Sequence, residues 1–184
     1  MNVLPYRDVF PTLGEGVLIA RGAWVIGDVE IGDRSSVWFN SVVRGDENYI
    51  RIGCDTNVQD NCTLHGTPEK YPLIVGDRVT VGHRAIVHGC VVEDECLIGM
   101  GAIIMDGSRI GKGSLVAAGS ILTPGFTAPP GSLIMGTPAQ IKRPLNDIER
   151  QRMVTSMSNY RRLTAEYLNA GLPDDERRIK GFLG

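Results

Sequence analysis

The chain has 184 residues, enough for one domain with a substantial core and too few to suggest two without a linker. Its formal net charge of -2 and the scatter of its 19 Lys and Arg residues leave no basic stripe, which argues against nucleic acid and lipid surfaces and favours a small polar substrate. Aromatics make up 6% of the chain while glycines number 23, a balance that suits a turn-rich all-β body better than a helical bundle. The opening Met1-Asn2-Val3-Leu4-Pro5-Tyr6-Arg7-Asp8 holds no apolar signal core, and no apolar run reaches the roughly 18 residues of a spanning helix. The expected location is the cytoplasm.

From residue 19 onward the aliphatic residues recur with a period of six. Ile19, Val25, Ile31, Val37 and Val43 share one phase, Ile52, Val58 and Leu64 a second, and Val75, Val81 and Val87 a third. Val92, Ile98, Ile104, Ile110, Val116 and Leu122 form a fourth, giving 17 positions with three phase breaks. Four places after the aliphatic residue the chain is mostly small, as at Ala23, Ser35, Thr56, Ala85 and Ser114. A helix needs a period near 3.6 and a half-buried strand a period of 2, so short strands joined by tight turns are the remaining reading. Each coil is covered only when another stacks on it. The pattern resembles the left-handed parallel β-helix of hexapeptide-repeat proteins, in which three hexads make one triangular coil. The left hand comes from that resemblance alone, since right-handed crossovers are the rule elsewhere. Cys54, Cys62, Cys90 and Cys96 form no CxxC pair and read as inert, reduced thiols.

The repeat is expected to end around 125–138, where Pro124, Pro129, Pro130 and Pro138 cannot donate to a ladder. A helix follows. Asn146 is its expected cap with Glu149 three residues on, and Ile148, Met153, Met157, Tyr160, Thr164, Tyr167 and Leu168 recur at helical spacing. Gly171 and Pro173 should end it, before a charged and loosely ordered tail, 174–184. The expected organisation is a hexapeptide-repeat β-helix over 1–140, with a C-terminal helix and tail over 141–184 in the same domain. The helix either packs along one face of the β-helix or lends its polar face to a partner or an active site.

All three histidines of the chain, His65, His83 and His88, fall within 24 residues. Three neutral nitrogens that leave one position open are the ligand set of a catalytic zinc site. If the phase breaks are short loops or deletions at corners, Val43, Leu64 and Val87 share one face, and the next residues, Arg44, His65 and His88, form a ladder at roughly 4.8 Å spacing. Val58 and Val81 then share another face, which sets Gln59-Asp60 level with Gly82-His83 and turns His83 away from the other two. One prism cannot bring these faces to one ion. A threefold trimer can, because its heterologous contacts close into a ring. Each site would take His65 and His88 from one chain and His83 from the next.

The segments Arg44-Gly45-Asp46, Asn57-Val58-Gln59-Asp60-Asn61, His65-Gly66, Gly82-His83 and His88-Gly89-Cys90 resemble the γ-class carbonic anhydrase family over nearly the whole chain. The resemblance implies metal ligation by His65, His83 and His88, salt bridges at the fold and interface by Arg44, Asp46 and Asp60, and positioning of water by Gln59. It implies a homotrimer that hydrates carbon dioxide reversibly to bicarbonate with a hydroxide on a metal held by the three histidines, Zn2+ with Fe2+ or Co2+ as alternatives. One departure matters. The long acidic loop after the first histidine, which carries a glutamate proton shuttle in some members, is here the short 67–72 with Glu69, while Glu47 follows Asp46. Slow hydration is therefore expected. The competing readings are an acyl-CoA-dependent acyltransferase, a thioesterase using the same metal, and a non-catalytic metal- or ligand-binding trimer.

Overall fold

The computed structural model describes residues 2–170. The chain winds as a left-handed parallel β-helix of about seven coils, followed by one C-terminal helix. All 17 aliphatic positions of the repeat are buried, and so are the small residues four places after them. Parallel pairing stacks the aliphatic positions into three columns. The first face carries Val25, Val43, Leu64, Val87, Ile104 and Leu122 in register. The second carries Ile31, Ile52, Val75, Val92, Ile110 and Ala128. The third carries Ile19, Val37, Val58, Val81, Ile98, Val116 and Ile134.

The three phase breaks fall at one corner. Val43 to Ile52, Leu64 to Val75 and Val87 to Val92 are all passages from the first face to the second. Insertions and the one-residue deletion between Val87 and Val92 therefore fall along a single edge and leave the other two edges regular. Small polar residues stitch the coils together: the Thr56 hydroxyl donates to the Gly76 carbonyl at 2.7 Å, and the Thr56 N–H donates to Ser35 Oγ at 2.9 Å. These bonds satisfy groups that burial would otherwise leave without partners.

At the edge between the second and third faces, the left-handed turn position is held by Arg34, Asp55, Arg78 and Glu95, with φ of 56, 53, 55 and 60°. Their charges alternate up the stack. The Arg34 guanidinium reaches both Asp55 oxygens at 3.0 and 2.9 Å, and Arg78 Nη2 reaches Glu95 Oε1 at 3.1 Å.

The coil ends within the expected 125–138, and the six-residue step continues beyond Leu122. Ala128 and Ile134 keep the six-residue step and are buried, and Ser132–Gly136 still pairs in parallel with the coil below. Pro124 and Pro130 lie in turns, where no ladder donor is needed. Ala139–Pro144 then folds back antiparallel on Ser132–Gly136.

The helix, Asp147–Ala170, lies along the third face. Its start is a reciprocal capping box, in which Glu149 N–H donates to Asn146 Oδ1 and Asn146 N–H donates to Glu149 Oε2, both at 2.9 Å. Met153 and Thr164 are buried, and Trp38 meets Tyr160 and Tyr167 edge-on at centroid distances of 5.3 and 5.2 Å. Leu168 is 43% exposed and Ile148 66%, against the expectation that both share the packed stripe. Ile148 lies five residues from Met153, about 140° around the helix, and so points elsewhere. The expected stop at Gly171 and Pro173 and the tail 174–184 lie outside the described residues.

Asn146→Ala should cost about 1 kcal/mol in a denaturant titration, as for other caps. Glu149 also reports on this end of the helix. Its hydrogen bond to Arg143 pushes its carboxyl down to about 2 from an ordinary 4.5. A depressed carboxylate stabilises fully above its unfolded value and less as pH falls through the folded one, so protection of the amides in the first helical turn, taken relative to their intrinsic exchange rates, should fall between pH 4.5 and 2.

Burial pushes the Cys62 thiol up to about 11 and Cys96 up to about 12, and raises Cys90 further, which agrees with inert small residues in the core. No helix among the described residues is long and apolar enough to cross a membrane.

Candidate metal centre

Strand register sets the histidines. Arg44 pairs with His65 and His65 with His88, so the three side chains form a column where the first face ends. His65 Nδ1 and His88 Nε2 lie 3.1 Å apart. Each ring is held by a carboxylate on its other nitrogen: His65 Nε2 is 3.0 Å from Asp46 Oδ1, and His88 Nδ1 is 2.6 Å from Asp106 Oδ1. An ionised carboxylate only accepts, so the single hydrogen of each neutral ring sits on the carboxylate side. The two nitrogens facing each other are then both lone pairs.

Asp46 is shared, with its second oxygen hydrogen-bonded to Arg44. Partial burial of Asp46 opposes ionisation, but the bonds from Arg44 and His65 outweigh it and hold the carboxyl below the usual range. Asp106 behaves alike. Burial opposes ionisation and the bonds from His88 and Thr67 prevail.

His83 lies at the opposite edge of the first face, where the third face turns into it. Val81 pairs with Val58, and two residues on, His83 Nδ1 meets Asp60 Oδ2 at 2.7 Å. This carboxylate again takes only one of the two ring nitrogens. The Tyr160 hydroxyl, carried by the helix, stands 3.3 Å from His83 Nε2. Burial and the Asp60 charge raise the Tyr160 phenol above its usual range, so it is a donor at neutral pH. Gln59 is buried; its Oε1 accepts the His83 N–H at 3.2 Å and its Nε2 donates to Asn57 Oδ1 at 3.3 Å. One amide hydrogen of Gln59 is left for a ligand. A groove of about 400 Å³ opens here, with Gln59, Gly82, His83, Met100 and Tyr160 among its walls.

The chain therefore brings together Arg44, Asp46, His65 and His88 at one edge, and Gln59, Asp60 and His83 at the other. Among the described residues of one chain, no three His, Cys, Asp or Glu side chains converge as a ligand set. Asp60 meets His83 rather than Arg44, whose partner is Asp46. Glu47 and Glu69 are both exposed.

Sequence reasoning missed two residues. Asp106 was legible in principle, because the ladder that pairs His65 with His88 continues from Val87 to Ile104 and sets residues 105–106 beside His88. Tyr160 was read only as part of an apolar stripe; a phenol whose ring packs while its hydroxyl needs a partner was the available signal.

Residues 89–124 match the model described as bacterial transferase hexapeptide (six repeats), and residues 72–105 match the hexapeptide repeat of succinyl-transferase. A Methanocaldococcus jannaschii protein named "Probable carbonic anhydrase" is 51% identical over 152 residues, covering 83% of this chain and 95% of its own. The Arabidopsis thaliana "Gamma carbonic anhydrase 3, mitochondrial" is 44% identical over 100% of this chain and 72% of its own. The chain belongs to the γ-carbonic-anhydrase-like family of hexapeptide-repeat proteins. Transferase names occur among similar proteins too: a hexapeptide transferase family protein from Anaplasma phagocytophilum superposes with a TM-score of 0.85 at 38% identity, over 90% of this chain and 97% of that one.

Membership in the γ-carbonic-anhydrase-like family implies a metal cofactor, and the residues fit one. With each ring neutral and donating to its carboxylate, the two nitrogens 3.1 Å apart both offer lone pairs that a shared cation would accept. Ligand nitrogens around tetrahedral zinc lie about 3.3 Å from one another, close to the spacing found here. Each ring also has the outer carboxylate that metal-binding histidines require to fix their tautomer.

Proposed function

We propose that the protein hydrates carbon dioxide reversibly to bicarbonate at a metal held by His65 and His88 of one protomer and His83 of its neighbour in a homotrimer. The observation that carries this reading is the carboxylate clamp on every histidine: Asp46, Asp106 and Asp60 each occupy one ring nitrogen and leave the other without a carboxylate, that of His83 facing the Tyr160 hydroxyl. The two half-sites lie at opposite edges of the first face. Between them that face turns Trp24, Val42, Thr63, Ile86, Ile103 and Ile121 outward, with Trp24, Thr63 and Ile86 exposed, a row that is apolar except at Thr63 and suited to a partner protomer.

A bound divalent ion supplies hydroxide near neutral pH by lowering the pKa of a coordinated water, the known chemistry of zinc carbonic anhydrases. Zn2+ is the expected ion, and three imidazoles also accept Fe2+ or Co2+. The chain's own groups do the rest. Gln59, fixed by the His83 N–H, offers its remaining amide hydrogen to the oxygen that attacks or is attacked. Tyr160 offers its hydroxyl beside His83. Arg44 fixes Asp46, and Asp46 fixes His65. The carboxylates of this set, Asp46, Asp60 and Asp106, are each committed to a histidine, and Glu47 and Glu69 are exposed, so none is held ready to accept the proton released in each cycle. Hydration should be slow in dilute buffer and rise steeply with imidazole-type buffer that carries the proton away, with Gln59→Ala impaired at every buffer concentration. A metal-loaded trimer inert at all buffer concentrations would remove the assignment and leave acyl transfer, thioester hydrolysis or plain ligand binding.

The test of the shared site is subunit mixing. His83→Ala and His65→Ala chains, each inactive alone, should regain metal and activity when reassembled together, because a mixed interface can unite an intact His65 and His88 with an intact His83. Verified mixed trimers with no recovery would place the whole site within one chain.

A further inference from the structure

Asp106 reaches His88 from the next coil, and its second oxygen is also taken. Thr67 Oγ1, 39 residues away in sequence, donates to Asp106 Oδ2 at 2.8 Å. Thr67 belongs to the loop that stands where a long acidic loop was expected, and this loop is firmly tied. Thr67 N–H donates to the Tyr71 carbonyl at 2.9 Å and Tyr71 N–H donates back at 3.2 Å. Asn48 Nδ2 holds the Thr67 carbonyl at 2.8 Å from the coil on the other side. The Tyr71 ring then lies on Gly107, where an added Cβ would stand 3.1 Å from the ring edge. Gly89, directly after His88, leaves the room the carboxylate fills: a Cβ there would stand 2.4 Å from Asp106 Oδ1. The corner is built around one aspartate rotamer.

The pair Thr67–Asp106 repeats the logic of Arg44–Asp46. In each, a carboxylate spends one oxygen on an imidazole and the other on a donor that stops it from turning. We infer that Asp106, braced by Thr67, is a positioning residue of the metal centre, and that the short loop 66–72 serves to hold it against His88 rather than to relay protons. The inference rests on the metal-centre reading above.

The experiment measures Zn2+ affinity of the trimer by competition with a chromophoric chelator, and the visible absorption of the Co2+ form. Asp106→Ala should bind Zn2+ about 10–100-fold more weakly, the usual effect of losing an outer partner, with its Co2+ bands displaced. Thr67→Val should weaken Zn2+ in the same direction by less, and Thr67→Ser should restore the wild-type value, because a hydroxyl suffices. Metal-free Thr67→Val and Thr67→Ser should melt together, which separates positioning from a folding defect. Wild-type affinity in Asp106→Ala, or Thr67→Ser no better than Thr67→Val, overturns the inference while the metal centre stands. A wild-type trimer that binds neither Zn2+ nor Co2+ overturns the centre itself and the inference with it.

Discussion

Protein purified anaerobically should carry about one divalent transition metal per chain, and His65→Ala, His83→Ala and His88→Ala should each lose it to the same extent. The expected loss in affinity exceeds the 10–100-fold that follows removal of an outer partner, because a direct ligand goes and its carboxylate is left without its imidazole. Equality is the sharp part of this expectation. His65 and His88 form a ready pair 3.1 Å apart within one chain, whereas His83 sits across the first face. A site made by the pair alone would let His83→Ala keep its metal. Elemental analysis of the three variants decides, and one dispensable histidine would sink the three-ligand assignment.

Leu64→Ala should destabilise the fold by about 2–5 kcal/mol in a reversible denaturant titration, the range for truncating a large buried aliphatic residue. Leu64 has no exposed surface and is flanked on its ladder by Val43 below and Val87 above. Neither neighbour can collapse into the void without leaving its own strand register, so the upper part of the range is expected. The cavity would open directly behind His65, and metal affinity should fall with stability. A cost under about 1 kcal/mol would mean that the coils relax more freely than close packing permits.

The hexad pattern carried most of the fold because each aliphatic residue does a single job, filling a shared core, and the spacing of six follows from that. It stopped short at Leu122 for a physical reason. Ala128 is a weak hydrophobic signal and the neighbouring prolines suggest a break, yet prolines at corners cost the ladder nothing. The column Arg44, His65 and His88 was also legible, since register is arithmetic once the breaks are assigned to corners. Partners across coils were harder. Asp106 lies 18 residues from His88, and Tyr160 lies 77 from His83 on a helix whose approach angle no hexad count can give. The exposure of Ile148 failed for the opposite reason: helical spacing was read too loosely, and an angle worked out for each residue would have excluded it.

The alternating column Arg34, Asp55, Arg78 and Glu95 makes the solenoid sensitive to parity. Deleting the single coil that bears Asp55 would set Arg34 against Arg78, while deleting the two coils that bear Asp55 and Arg78 would set Arg34 against Glu95 and keep opposite signs in contact. Exposed pairs of this kind add little to stability, but like charges on facing turns oppose a shifted stacking. Shortened or lengthened versions of this β-helix should therefore assemble more cleanly when coils are removed or added two at a time, so that the edge acts as a counting rule for the architecture.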